Sequence, residues 1–313
     1  MPTPVPLSAS GSVYLTDGGL ETTLIFLDGL ALPDFASFPL LSSEDGKAHL
    51  DRYFRPYLDT AERVGSGFVI DTVTWRANPD WGARLGCDPW ALAEVNRRAV
   101  SYAARVGASR PGLETVVNGV VGPRGDGYVV GETMSSDEAA SYHSLQANAF
   151  AAAGAQLMTA VTMTYAEEAI GVVEAATAAD LPVVVSFTVE TDGRLPSGQG
   201  LGAAIEQVDR GTESVAAYFM VNCAHPTHFA SVLEDGLAND EPWVQRVQAI
   251  RANSSTMSHA ELDAADGLDR GDVQGLAGQY AQLQQTLPHL RVVGGCCGTD
   301  HEHIAAIADA LTA

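Results

Sequence analysis

The chain has 313 residues, 46% of them apolar and 18% charged, enough to bury one large α/β core or two small ones. Seventeen Lys and Arg against thirty-nine Asp and Glu give a formal charge of −22, which argues against unaided binding to nucleic acid or to an anionic membrane, because both rest on cationic contacts. No stretch is long and apolar enough to span a bilayer, and four cysteines in so long a chain make no disulfide scaffold, a usage that suits a reducing cytoplasm.

Residues 1–11 have neither a basic residue nor an apolar segment and are expected to form a short disordered leader, followed by one domain over residues 12–313. Within that domain, short β-rich runs at 13–15, 67–70, 115–117, 157–160, 182–187, 217–221, 247–250 and 291–293 alternate with longer Ala-rich stretches compatible with helix. Such alternation predicts a parallel sheet with helical crossovers, and eight runs predict a (β/α)₈ barrel. The seventh run is the weakest, since residues 247–250 equally suit the end of a helix starting near Pro242.

Polar residues and glycines collect directly after the runs: Thr16-Asp17-Gly18-Gly19, Asp71-Thr72-Val73-Thr74, Asn118-Gly119, Thr162, Thr188-Val189-Glu190, Asn222-Cys223, Asn253-Ser254-Ser255 and Gly294 to Thr299. A barrel of this type places its active site at those C-terminal strand ends. A doubly wound sheet would concentrate them at one switch point, and no GxGxxG follows the first run. The polar, acidic segment 253–272 is expected to cross the barrel mouth.

Three thiols carry the most specific chemistry. Cys223 follows the sixth run, and Cys296 and Cys297 follow the eighth inside Gly294-Gly295-Cys296-Cys297-Gly298-Thr299. Adjacent cysteines are strained as a disulfide with each other, but as thiolates they can share one ion. Sulfur ligation favours zinc, and three protein ligands leave a position open for substrate. His225, His301 and His303 are candidate fourth ligands, though none has the usual local spacing to a cysteine. The pair His301 and His303 better suits a helix start, with Thr299 and Glu302 at capping-box spacing. Cys87 is read as a small core hydrophobe.

Asp17-Gly18-Gly19, Asn118-Gly119 through Gly122-Pro123, Ser197-Gly198, Val221-Asn222-Cys223 and the Gly-Gly-Cys-Cys-Gly-Thr run together resemble the zinc-dependent homocysteine S-methyltransferases over nearly the whole chain. The resemblance implies a (β/α)₈ barrel, zinc held by Cys223, Cys296 and Cys297 as the catalytic centre, and the acceptor thiol as the remaining ligand. It also implies an amino-acid site that includes Asp17, Gly18 and Gly19, with Thr74 and Asn222 as further substrate-site residues. Many relatives carry an acid at the end of strand four that holds the acceptor's ammonium, whereas this chain reads Ala160-Val161-Thr162. Either Asp17 with another acid such as Glu190 takes that role, or the acceptor is a different thiol.

The expected reaction moves a methyl group from a cationic donor, S-methylmethionine or S-adenosylmethionine, to the thiolate of homocysteine to give methionine. Zinc supplies the thiolate at neutral pH, and a dry barrel mouth favours a transition state in which charge is neutralised. Trp75 and Trp81 are candidate walls for the donor cation, though packing is their commoner role. A zinc hydrolase on the same barrel is disfavoured by the all-sulfur ligand set. A non-catalytic zinc or redox thiol sensor would use the same three cysteines.

Overall fold

The computed structural model describes Val5, Leu7 and residues 13–312. The leader expected over residues 1–11 otherwise lies outside the described residues; Leu7 itself is buried against the base of the barrel.

Eight parallel strands, β1 (Tyr14–Leu15), β2 (Phe68–Asp71), β3 (Thr115–Val121), β4 (Leu157–Met163), β5 (Val183–Phe187), β6 (Tyr218–Asn222), β7 (Val247–Ala252) and β8 (Val292–Gly295), close into a barrel in sequence order. The barrel closes through β1 and β8, with Tyr14 opposite Val292. Helices α1 (Leu20–Thr22), α2 (Glu44–Val64), α3 (Pro79–Arg84), α4 (Pro89–Ala108), α5 (Ser136–Ala153), α6 (Ala166–Ala178), α7 (Leu201–Gly211), α8 (Pro226–Ala238), α9 (His259–Asp263), α10 (Val273–Thr286) and α11 (His301–Thr312) supply the crossovers and the mouth insertions. The expected (β/α)₈ barrel is therefore the observed fold, and every predicted run overlaps a strand. The ambiguous seventh run is a strand, not the end of a helix: β7 starts at Val247, and only a 3₁₀ turn over Pro242–Arg246 precedes it.

Side-chain alternation along the strands builds two apolar layers. Phe68 and Ile70 of β2, and Ile250 of β7, face the helices, while Val69, Val116, Leu157, Val184, Met220, Ala249 and Val292 fill the barrel interior. The same period of two then carries Asp71, Asn118, Thr159 and Arg251 inward one step higher, so a charged layer sits on the apolar floor. That layer is the base of the mouth.

The last helix starts differently from its expected cap. Asp300, not Thr299, accepts the Glu302 N–H at 3.0 Å and the His303 imidazole bonds the same carboxylate at 2.9 Å, while the Thr299 hydroxyl turns back to the Cys296 carbonyl at 2.7 Å. Cys87 is partly buried against Leu92 and its neighbours, as a small hydrophobe would be. Among the described residues no helix is long and apolar enough to cross a membrane.

Candidate active site

The sulfurs of Cys223, Cys296 and Cys297 converge at the mouth, all within 4.8 Å of one another. Cys223 directly follows β6 with φ of 53°, a left-handed conformation that costs a non-glycine residue energy and turns its side chain into the mouth. Its sulfur is 3.8 Å from that of Cys297 and in disulfide contact with that of Cys296, the two Cα atoms being 5.3 Å apart. The sequence pattern predicts three thiolates. Here two are paired with each other, leaving Cys297 and Cys87 as the free thiols among the described residues.

The backbone around the sulfurs is packed by close main-chain approach. A Cβ on Gly19 would lie 2.6 Å from the Cys296 carbonyl oxygen, and the Gly19 N–H donates to the Thr299 carbonyl at 3.0 Å. The Thr22 hydroxyl accepts from the Gly298 N–H at 3.2 Å, so α1 lies directly against the cysteine turn. Asn222 accepts from the Thr162 N–H at 2.9 Å and from Ser186 Oγ, and points its amide nitrogen at Cys296 Sγ at 3.8 Å. It thus fixes Cys296 and the turn at Thr162 together.

Residues not singled out from the sequence complete this side. The Tyr128 hydroxyl donates to Cys297 Sγ at 3.5 Å, and its ring stacks on His259 at 4.1 Å between centroids. The two His259 nitrogens face acceptors, Glu190 Oε1 at 3.0 Å and the Cys223 carbonyl at 2.8 Å. Glu190, one candidate acid for the substrate ammonium, is the partner of His259. Burial pushes the Cys297 thiol up, and the charge of Glu21 adds to the shift even though the Tyr128 hydrogen bond opposes it. An isolated thiol here stays protonated; a bound cation would reverse that.

Below the sulfurs lies the charged layer. Arg251 donates to Asp17 at 2.5 Å, to Asp71, and through Nε to the Gly295 carbonyl at 3.0 Å. Asp17 also accepts from the Tyr53 hydroxyl at 3.0 Å, and Asp71 from the Asn118 amide at 2.7 Å. Burial pushes Asp17 up to about 7, because one guanidinium shared between two carboxylates does not offset the desolvation of both.

Sulfurs and charges open onto one cavity of about 650 Å³. Its walls include Asp17, Gly18, Gly19, Glu21, Thr72, Trp75, Arg76, Trp81, Tyr128, Val161, Asn222 and the three cysteines, with residues of the 253–272 segment over the opening as expected.

The sequence profile of the homocysteine S-methyltransferase family matches residues 14–311. The chain belongs to that family. Its fold is shared by the homocysteine methyltransferase MmuM of Escherichia coli. The metallated form is 22% identical, with a TM-score of 0.74 over 95% of this chain and 96% of that one. The oxidised form is also 22% identical, with a TM-score of 0.75 over 94% of each chain. The apo form is 20% identical, with a TM-score of 0.66 over 96% of each. No curated protein sequence matches the chain significantly.

For a member of this S-methyltransferase family, the substrate-side residues read from the sequence divide. Asp17, Gly18, Gly19 and Asn222 line the cavity, but Thr74 does not: its hydroxyl is fully buried, donating to the Val120 carbonyl at 2.7 Å, and Thr72 takes the cavity position. Trp75 and Trp81 line the cavity, yet the Arg76 guanidinium covers both rings, 4.2 and 3.8 Å from their centroids. Those two indole faces already hold the chain's own cation.

Proposed function

We propose that this protein transfers a methyl group from a sulfonium donor, S-methylmethionine or S-adenosylmethionine, to the thiolate of homocysteine, with zinc held by Cys223, Cys296 and Cys297. The observation that carries the reading is the convergence of three sulfurs within 4.8 Å at the C-terminal end of the barrel, in a chain of this family. Thiolates bound at about 2.3 Å around one tetrahedral zinc stand about 3.8 Å apart. The Cys223 to Cys297 separation of 3.8 Å already meets this, and reduction lets Cys296 part from Cys223 to complete the set.

Zinc there would keep the acceptor sulfur deprotonated at neutral pH, where a free alkyl thiol with pKa near about 8.5 is mostly protonated. The protein's own groups do the rest. Asn222 at Cys296 and Tyr128 at Cys297 hold the sulfurs in place. Acidic walls, Glu21, Asp34, Asp126, Asp263 and Asp269 among them, draw a cationic donor into the mouth. The segment over the opening limits water near the transferring methyl.

The test uses reduced, zinc-loaded protein incubated with homocysteine and a panel of S-methylmethionine, S-adenosylmethionine and betaine, with methionine read by mass spectrometry. Methionine from one of the sulfonium donors, abolished by prior thiol oxidation, is expected. No methionine from either, with zinc bound stoichiometrically, would sink the reading.

A further inference from the structure

At the end of β4, where the resemblance read from the sequence implies an acid for the acceptor ammonium, this chain has Val161 lining the cavity. The two acids nearest the cavity floor are not available to replace it. Asp17 accepts from Arg251 and Tyr53, one on each oxygen, and Asp71 accepts from Arg251 and Asn118, again one on each. An incoming ammonium would have to displace a buried partner from either.

Glu21 is built differently. It stands on α1, next to Thr22, whose hydroxyl bonds the Gly298 N–H one residue past Cys297. Its carboxylate lines the cavity, half-buried, and one oxygen, Oε1, accepts from the buried Ser37 hydroxyl at 2.7 Å. Among the described residues Ser37 is the one side-chain donor to this carboxylate. A carboxylate held by the Ser37 hydroxyl on the wall of the cavity that the three sulfurs also line is complementary to a primary ammonium. In homocysteine the ammonium lies four bonds from sulfur, at most roughly 5 Å with bonds of about 1.5 Å. A sulfur seated among the three cysteines therefore keeps the amino-acid head in this part of the cavity.

Resting on the acceptor assignment made above, we propose that Glu21 is the residue that binds the ammonium of the amino-acid acceptor, in place of the absent acid at the end of β4, and so selects amino thiols over simple thiols.

The experiment measures thiol binding rather than turnover. Reduced protein loaded with cobalt is titrated with homocysteine and with 4-mercaptobutyrate, its analogue lacking only the amino group, and the thiolate-to-cobalt charge-transfer band is followed. The native protein is expected to prefer homocysteine by about tenfold or more, the scale of a charge-assisted hydrogen bond. Glu21→Gln, which keeps the shape and the Ser37 contact, is expected to bind both thiols about equally while affinity for 4-mercaptobutyrate stays unchanged. Glu21→Asp, which keeps the charge, is expected to restore part of the preference and carries the test if the glutamine variant holds cobalt poorly. A preference retained in both variants, or a change confined to the donor's KM in turnover, overturns the role of Glu21 and leaves the acceptor assignment standing. A native protein that binds neither thiol, or shows no preference, overturns both.

Discussion

Two clusters meet at the mouth of this barrel, three sulfurs above and the Asp17, Arg251 and Asp71 charges beneath, and they are assembled by the same device for opposite ends. Each gathers side chains from the C-terminal ends of strands far apart in sequence, the sulfurs from β6 and β8 and the charges from β1, β2 and β7. The charges satisfy one another, so every carboxylate oxygen and the guanidinium have a protein partner. The sulfurs are supported mainly from behind, by backbone packing at Gly19 and by the Asn222 amide, and keep a face on the cavity. A cluster closed on itself holds the architecture; a cluster left open is where a ligand can enter.

The comparison is sharpest when one member is removed from each. Cys297→Ser is expected to lower bound zinc from about one equivalent to a trace and methyl transfer by roughly a thousandfold or more, the several kcal/mol a catalytic metal supplies, while leaving the far-UV circular dichroism and melting temperature nearly unchanged. Arg251→Met should do the reverse, leaving two buried carboxylates unpaired and costing about 3–5 kcal/mol of stability by denaturant titration. Adding Asp17→Asn and Asp71→Asn to it should recover most of that loss. If Arg251→Met instead melts normally but cannot bind thiol, the closed cluster is part of the binding site and the division fails.

The sequence made the open cluster legible and hid the closed one. Cysteine is rare in this chain, and a vicinal pair between glycines has few uses, so Cys223, Cys296 and Cys297 stood out. Asp and Arg are common, and nothing local marks Arg251, in Ala249-Ile250-Arg251-Ala252, as pairing with Asp17 and Asp71 on distant strands. Only a strand register for β7 could have found it, because Arg251 lies two residues beyond the inward-facing Ala249. Glu21 and Tyr128 were missed for the related reason that their roles come from the path of a loop, not from a spacing. The barrel itself was readable because eight apolar runs with polar C-terminal ends express its period directly. Thr74 was misplaced relative to Thr72 because the turn after β2, unlike a strand, does not keep that period.

The closed cluster also has a pH signature of its own. With Asp17 held up to about 7 by burial, against about 4 in an unfolded chain, the folded protein binds the extra proton between those values. Stability is therefore expected to fall as pH rises through that window and to level off above about 7. Asp17→Asn removes the titrating group, so its melting temperature should be flatter over the same range. A native profile that rises from pH about 4 to 7 once other carboxylates are accounted for would mean that Arg251 fully neutralises Asp17.

The smallest effect lies at the opposite sign, just past the cysteine turn. Burial alone would raise the Asp300 carboxyl, but the His303 hydrogen bond and charge, together with Arg270, outweigh it and hold it down at about 2. A carboxylate held below its unfolded pKa contributes stability that is present above about 4 and is lost as pH falls toward about 2. Asp300→Asn leaves a side-chain oxygen for the Glu302 N–H but loses the charge opposite Arg270, so it is expected to cost about 1 kcal/mol at neutral pH. That cost should shrink toward zero in melts taken below about pH 3, and zinc content should stay unchanged throughout. Loss of zinc in this variant would show that the cap of α11 fixes the Cys296-Cys297 turn, which would join the last helix to the open cluster instead of leaving it to hold the barrel shut.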